Sequence, residues 1–506
     1  MSKWKYGLIF ILFLTMVGVA ACSATDSQTD ADAESNEETS EENSSEEASE
    51  QENTMTGKLT LDETEGEIGD EVHLTAEGLD PDEPLQVIYV DMEGKYEIEN
   101  NYSFLGTAYD EVEKEVGEGT ADENGEWSGS ITIPDGFGDD HDILIQQDGN
   151  AIAKANFFVE TVFTMSPESG PPGTEITIEG EGLSPNMYGS IWHVNYDNAY
   201  TGMITAISTD GKAEAVVRAA GSPGTHTVTV ESGASGAPYL SRDSSAINYI
   251  ETHFFDFTIT DEAPDTDTDM AYVEEPPEPA DGGIQMPEPE NKEGVQISLD
   301  KEMGTVDEMV TLSGEGLPEN QELTLDWHTM VGNRVSTEGF APEIMEIDTV
   351  ETDEDGSFTH EFPIPDDLGG LPHLIEVKAG DEVYGQAYLR ILPSIVSIEP
   401  EEGPAGTPIT VEIKGAGWTE FDNALGVTYD NAYIGYICGF NSQGTIKLPL
   451  TASGEPGYHT IDIYPSIYQG EDPIPDIYRK PQLTYRDDHP GTGIPAIRTF
   501  FKVTEE

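Results

Sequence analysis

The chain has almost no cysteine: Cys22 and Cys438 are the two in 506 residues. A disulfide framework like that of small secreted domains is excluded, so stability has to come from buried apolar cores. Bases are also scarce. Lys and Arg number 21 against 101 Asp and Glu, a formal net charge of −80. Phosphate contacts need Lys and Arg, so nucleic acid is not expected as a partner. Docking on an anionic lipid surface through a basic patch is disfavoured for the same reason. No stretch shows sustained helical periodicity. There is no Gly-x-Ser-x-Gly elbow, P-loop, His-Glu-x-x-His or Cys-x-x-Cys. Neither an enzyme nor an obligate cofactor is expected. Hydrophobic residues make up 36%, lean for a compact globule, so part of the chain is expected to be linker.

What is present begins with an address. Lys3 and Lys5 precede an apolar run over 7–21 that ends Val19-Ala20-Ala21-Cys22. The run has the length of a signal-peptide core and is short for a membrane span. It resembles a bacterial lipoprotein signal. The resemblance implies a diacylglyceryl group on the sulfur of Cys22, which becomes the new N-terminus, and two or more acyl chains (palmitate among them) that hold the protein stably at the membrane. The remaining Cys438, in Tyr436-Ile437-Cys438-Gly439-Phe440, reads as a small buried core residue.

Residues 23–56 are mostly Ser, Thr, Asn, Glu and Asp, with almost nothing apolar and without a single base, a composition that cannot bury a core and predicts a disordered tether. A second acidic, Pro-rich stretch, 261–293, reads as a linker. Asp265, Asp267 and Asp269 there imitate the start of a calcium loop without its Gly and Glu at the required spacings. Between and after these stretches lie two blocks that repeat each other. Leu61-Asp62 returns as Leu299-Asp300, and Gly78-Leu79 as Gly316-Leu317. Tyr196-Asp197-Asn198-Ala199-Tyr200 returns unchanged as Tyr429-Asp430-Asn431-Ala432-Tyr433. Gly221-Ser222-Pro223-Gly224-Thr225-His226-Thr227 returns as Gly454-Glu455-Pro456-Gly457-Tyr458-His459-Thr460. Each block splits again, giving modules over 57–160, 161–260, 294–393 and 394–506.

Short runs alternating apolar and polar, as in Trp127, Gly129, Ile131 and Ile133, are punctuated by Asn124-Gly125, Asp210-Gly211 and Asp355-Gly356. Such patterning predicts about seven strands per module, an all-β fold of four tandem immunoglobulin-like sandwiches. Ser166-Pro167-Glu168-Ser169-Gly170-Pro171-Pro172-Gly173-Thr174, with Gly180-Glu181-Gly182-Leu183 after it, resembles the opening of an IPT/TIG domain. So does Glu399-Pro400-Glu401-Glu402-Gly403-Pro404-Ala405-Gly406-Thr407. That resemblance implies an early-set immunoglobulin-like fold for the second and fourth modules. The first and third lack the Pro-x-x-Gly-Pro core. Fold alone names no function.

Tyr-Asp-Asn-Ala-Tyr is the sharpest local feature. Asp-Asn suits a two-residue hairpin turn, across which Tyr429 and Tyr433, like Tyr196 and Tyr200, would pack. The alternative makes the tyrosines a stacking platform for sugar rings, with Asp197, Asn198, Asp430 and Asn431 as hydrogen-bonding tips. Asp430 is also a weak candidate for calcium. His226 and His459 share strand faces with Val228 and Ile461, which points them inward, whereas Asp462 and Tyr464 are expected on the exposed face. An insertion in the last module carries Tyr468, Tyr478, Arg479, Lys480, Tyr485, Arg486 and His489. It reads either as a binding loop for an acidic or sugar partner, with Arg479 and Arg486 as contacts, or as a long loop whose Arg residues pair with surrounding acid. Taken together, the sequence predicts a lipid-anchored, rod-like protein of the extracellular face of a bacterial membrane. Its role is adhesion to a glycan or a surface protein, self-assembly within the envelope, or service as an accessory subunit of a membrane enzyme or transporter.

Overall fold

The computed structural model describes residues 55–186, 190–233, 236–241, 251–264, 271–273, 284, 286–333, 339–441, 443–467, 479–491 and 493–505. Cys22, the tether up to 54, the aspartates at 265, 267 and 269, and Tyr468 and Tyr478 lie outside them. Among the described residues there is no helix, and none long and apolar enough to cross a membrane. The protein is all-β.

Strands group into four sandwiches over 58–159, 162–259, 296–391 and 394–504. Each has one strand order. In the first, Lys58–Leu61, Glu71–Glu77 and Glu126–Thr132 form a three-stranded sheet. It faces a five-stranded sheet in the order Glu65–Gly66, Asn150–Val159, Asp139–Gln147, Pro84–Glu99, Ser103–Thr120. The sequence leads one to expect seven strands. The eighth is the two-residue Glu65–Gly66, which runs parallel to Asn150–Val159 and recurs as Ser169–Gly170, Met303–Gly304 and Glu402–Pro404. It is too short for a period-2 pattern to register. The first and third sandwiches have the same topology as the second and fourth, although they lack the Pro-x-x-Gly-Pro opening.

Alternation places the cores. In Glu71–Glu77 the residues Val72, Leu74 and Ala76 are buried and the others exposed. They meet Leu85, Val87 and Tyr89 of the facing sheet in one cluster. Each sandwich has such a core.

A further cluster belongs to no single sandwich. Strands Pro84–Glu99 and Ser103–Thr120, 16 and 18 residues long, extend as a hairpin beyond the first core. Their Tyr96 and Phe104 pack with Ile191, Met203 and Ile207 of the second sandwich, Ile284, and Phe421 and Ile467 of the fourth. At the hairpin tip the Glu420 N–H donates to the Tyr102 carbonyl at 3.1 Å, and the Phe104 N–H to the Glu420 carboxylate at 2.9 Å. Trp418 sits between Tyr102 and Phe340, ring centroids 5.6 and 6.1 Å away. The sandwiches therefore touch side by side, not only end to end as a rod would require. Burying each such apolar side chain contributes roughly 1.5–3 kcal/mol.

The segment read as linker is partly incorporated. Ala271–Val273 pairs antiparallel with Ile497–Thr504 as an outer strand, and Ile284 is 4% exposed. A few apolar residues within the acidic stretch are enough to dock on a sheet edge that is already formed. Cys438 is half-buried near the end of an edge strand, not in the core, because its strand has a neighbour on one side only.

Candidate functional site

Both Tyr-Asp-Asn-Ala-Tyr segments are two-residue hairpin turns. Asp197 and Asn198 have φ of 49° and 64°, Asp430 and Asn431 of 47° and 62°, the left-handed pair that a twisted hairpin demands. The Asp side chain then does a second job. Asp430 Oδ1 accepts the Thr460 N–H at 3.0 Å, and its Oδ2 lies 2.5 Å from His459 Nδ1. His459 Nε2 lies 2.8 Å from the Glu455 carbonyl, and its ring stacks on Tyr429 at 5.6 Å. The second sandwich repeats this with Asp197, Thr227, His226, Ser222 and Tyr196 at matching distances. The hairpin motif and the Gly-x-Pro-Gly-x-His segment are therefore one unit. Gly221 and Gly454 complete it: a Cβ at either would stand 2.6 or 2.3 Å from the His ring. Burial pulls the His459 pKa down, but the hydrogen bond and charge of Asp430 outweigh it and hold the imidazole above its ordinary value. Calcium at Asp430 would have to displace His459 and Thr460. Among the described residues no group of three or more metal-ligating side chains is present.

The two motifs meet. Tyr200 and Tyr433 touch edge to face at 6.2 Å, and the Asn431 amide donates to the Arg218 carbonyl at 2.6 Å. Asn431 is thereby fully buried, whereas its sister Asn198 is exposed. Tyr429 is in the core of the fourth sandwich and bonds the Ser453 carbonyl. Tyr196 likewise belongs to the second core.

Asp462 and Tyr464 are both 0% exposed, contrary to the expectation of an open face. Strand parity places them on the outer face of their sheet, but the second sandwich covers that face. Arg218, from the end of Ala213–Arg218, sets its guanidinium 2.7 Å from Asp462 and donates to the Thr499 carbonyl at 2.6 Å. Arg498 approaches the same carboxylate oxygen at 3.4 Å and donates to the Tyr485 hydroxyl. Phe500 lies under Arg218, and Tyr464 under Arg498. Tyr464 and Tyr485 belong to the apolar cluster of the second sandwich. Two cations and one anion are thus buried between sandwiches that the sequence alone would not bring together.

The insertion is not a free loop in its described part. Between 481 and 496 almost every described residue is buried. The Met203 N–H donates to the Pro481 carbonyl at 2.9 Å, the Leu483 N–H donates to the Met203 carbonyl at 2.8 Å, and Asp488 accepts the N–H groups of Ile207 and Ser208 at 2.9 Å. Burial, and secondarily the charge of Arg390, lowers the His489 pKa to about 3. Arg486 is partly exposed and lies 3.7 Å from Glu214. Arg479 is held at φ 55° with its guanidinium 4.6 Å from the Tyr436 ring centroid, and its carbonyl accepts the Tyr433 hydroxyl at 2.7 Å. Tyr436, Phe104 and Phe421 carried no signal in the sequence. Trp418 could have been noticed, since it stands where the other modules have Leu79, Leu183 and Leu317.

No protein-family model and no curated relative matches the sequence. Among solved structures, the chain is similar to an alpha-2-macroglobulin from Salmonella at 9% identity and TM-score 0.17, over 87% of this chain and 30% of that one. An alpha-2-macroglobulin from Escherichia coli gives 12% and 0.14, over 80% and 42%. A protein from Corynebacterium diphtheriae described as membrane-anchored gives 11% and 0.17, over 66% and 89%. The chain spans less than half the length of either macroglobulin. Values of this size correspond to no shared arrangement of the whole chain, so the site is read from its own residues.

Proposed function

We propose that the chain is a lipid-anchored protein of the extracellular face of a bacterial membrane, in which four immunoglobulin-like sandwiches, the second and fourth of IPT/TIG type, act as one adhesion body. The observation that carries this reading is the buried contact between the second and fourth sandwiches, built on Arg218, Asp462 and Arg498. A string of independent receptors has no use for it. A body that must transmit load or hold a surface at a fixed attitude does. The repeated tyrosine motifs serve this contact and the hairpins, and what is displayed to a partner is the exposed remainder.

The anchor is tested in the intact organism or a Gram-positive host. Palmitate label and membrane sedimentation are expected in the native chain, with loss of both in Cys22→Ser. Unchanged sedimentation of Cys22→Ser would contradict the anchor. A self-assembling envelope protein is the second reading, favoured by the edge strand Ala432–Cys438, on which Ile434 is 52% exposed. Concentration-dependent sedimentation of the full chain in detergent would support it.

A further inference from the structure

The described part of the insertion, 481–491 with Gly493, is a strap across the other three sandwiches. It bonds the second through Met203, Ile207 and Ser208. The Tyr96 hydroxyl of the first donates to the Asp488 carbonyl at 3.3 Å, and Arg390 of the third donates to the Gly493 carbonyl at 2.8 Å. The fourth sandwich does not need these bonds for its own closure. Its strands Gly457–Ser466 and Ile497–Thr504, on either side of the insertion, pair directly from Gly457 with Val503 to Ile463 with Ile497. The strap is thus free to leave its partners without opening the sandwich that carries it.

His489 sits on this strap, 2% exposed. Its Nδ1 accepts the Gly491 N–H at 3.0 Å, so that nitrogen carries no proton. The single ring proton is on Nε2, buried without an acceptor among the described residues. A second proton would have to go on Nδ1, where an N–H already points, and would place a cation beside the buried Arg390. His459 is the contrast. Its Nδ1 faces the Asp430 carboxylate and its Nε2 the Glu455 carbonyl, two acceptors that suit the charged ring where it stands.

The groups around the strap do not offer His489 a counter-charge. Arg390 comes from the third sandwich. Asp422, from the 417–423 loop of the fourth, accepts the Thr419 N–H at 2.8 Å, and its charge acts on Arg390. The first sandwich contributes the phenols of Tyr96 and Tyr109, both with pKa raised by burial and therefore neutral. On the strap itself, Asp488 is taken up by the N–H groups of Ile207 and Ser208, and Arg486 faces Glu214.

We propose that His489 is an acid-operated release for the strap: protonation of its imidazole undocks 481–491 from the first three sandwiches while all four stay folded. The docked ring, with its pKa lowered to about 3, resists the proton, whereas the released ring titrates near the ordinary 6.5. Docking is therefore fully favoured above 6.5 and loses ground as pH falls toward 3. Between pH 6.5 and 5.0, above the ordinary carboxylate range, the equilibrium constant for release rises about fifteenfold. Release uncovers Tyr96, Ile207, Leu483 and Tyr485, which the docked strap keeps buried. This adds a control to the adhesion body and does not depend on what the body binds.

The test is native-state hydrogen exchange of the full chain in detergent at pH 6.5 and 5.0, with rates corrected for intrinsic exchange. Protection of the Met203, Ile207 and Leu483 amides is expected to fall about fifteenfold, while Ile461 and Ile463 in the sheet of the fourth sandwich are unchanged. In His489→Gln and in His489→Phe, which do not titrate, the fall should vanish. Ile461 and Ile463 report whether each variant is folded, and two side chains of different shape guard against a packing defect in one. Protection unchanged by pH in the native chain overturns the proposal. A fall that persists in both variants overturns it in favour of another titrating group, such as His193 or Asp488. A parallel fall at Ile461 and Ile463 overturns it in favour of unfolding of the whole sandwich.

Discussion

Asp462 shows how a residue's meaning is set by what covers it. Its carboxylate lies between Arg218 and Arg498, all three essentially unexposed. Removing the anion leaves two like charges buried together, the costly way to break such a cluster, so Asp462→Ala is expected to cost about 3–5 kcal/mol in chemical denaturation. A cost under about 1 kcal/mol would mean the cluster is hydrated. The buried histidines titrate in opposite senses. His459, with its pKa raised by Asp430, contributes stability that is complete below the unfolded value of 6.5 and is lost as pH rises through the folded value. His489, with its pKa lowered to about 3, opposes this. Its neutral form is favoured on folding, so stability is complete above 6.5 and is lost as pH falls from there toward about 3. His193, buried near Lys480 and likewise lowered to about 3, adds to the acid loss. Denaturation midpoints are expected to fall on both sides of neutrality. The alkaline loss should vanish in His459→Gln, and an unchanged alkaline limb in that variant would assign it to other groups.

At the scale of elements, duplication provides an internal control. Asn198 and Asn431 occupy the same position of the same turn, and both have positive φ. Glycine tolerates that conformation. Asn198→Gly is therefore expected to be near neutral, while Asn431→Gly loses the bond to the Arg218 carbonyl and costs about 1–3 kcal/mol. Equal costs in thermal unfolding would show that the cross-sandwich bond contributes nothing. The long hairpin offers a second contrast. Phe104 is unexposed far from its own core, packed against Phe421 at 6.3 Å. Phe104→Ala is expected to cost about 3–5 kcal/mol, a core-like penalty at a hairpin tip. The hairpin turns and the sandwich class were legible because they are local: Asp-Asn and the alternation of Ile176 with Ile178 require no knowledge of a partner. Inward-pointing parity at His459 was legible for the same reason. The outer face carrying Asp462 and Tyr464 was not, because parity distinguishes the two faces of a strand but not what a distant segment does to the second face. The burial of the insertion was not legible for the same reason, although Arg486 beside Glu214 fits the reading of a loop whose Arg residues pair with acid. Its Asp488 and Gln482 look like solvent-facing loop residues until Ile207, Ser208 and Thr205 supply their partners.

For the molecule as a whole, the central claim is that the second and fourth sandwiches, separated by more than a hundred residues of sequence, behave as one unit. The most direct measurement is native-state hydrogen exchange of the full chain, comparing amides in Ile191–Tyr196 and Gly457–Ser466. The account predicts that both strands open with the same free energy, and that Asp462→Ala lowers the two together by about 3–5 kcal/mol. Loss of protection confined to Gly457–Ser466, with Ile191–Tyr196 unchanged, would mean that the sandwiches open independently and would contradict it.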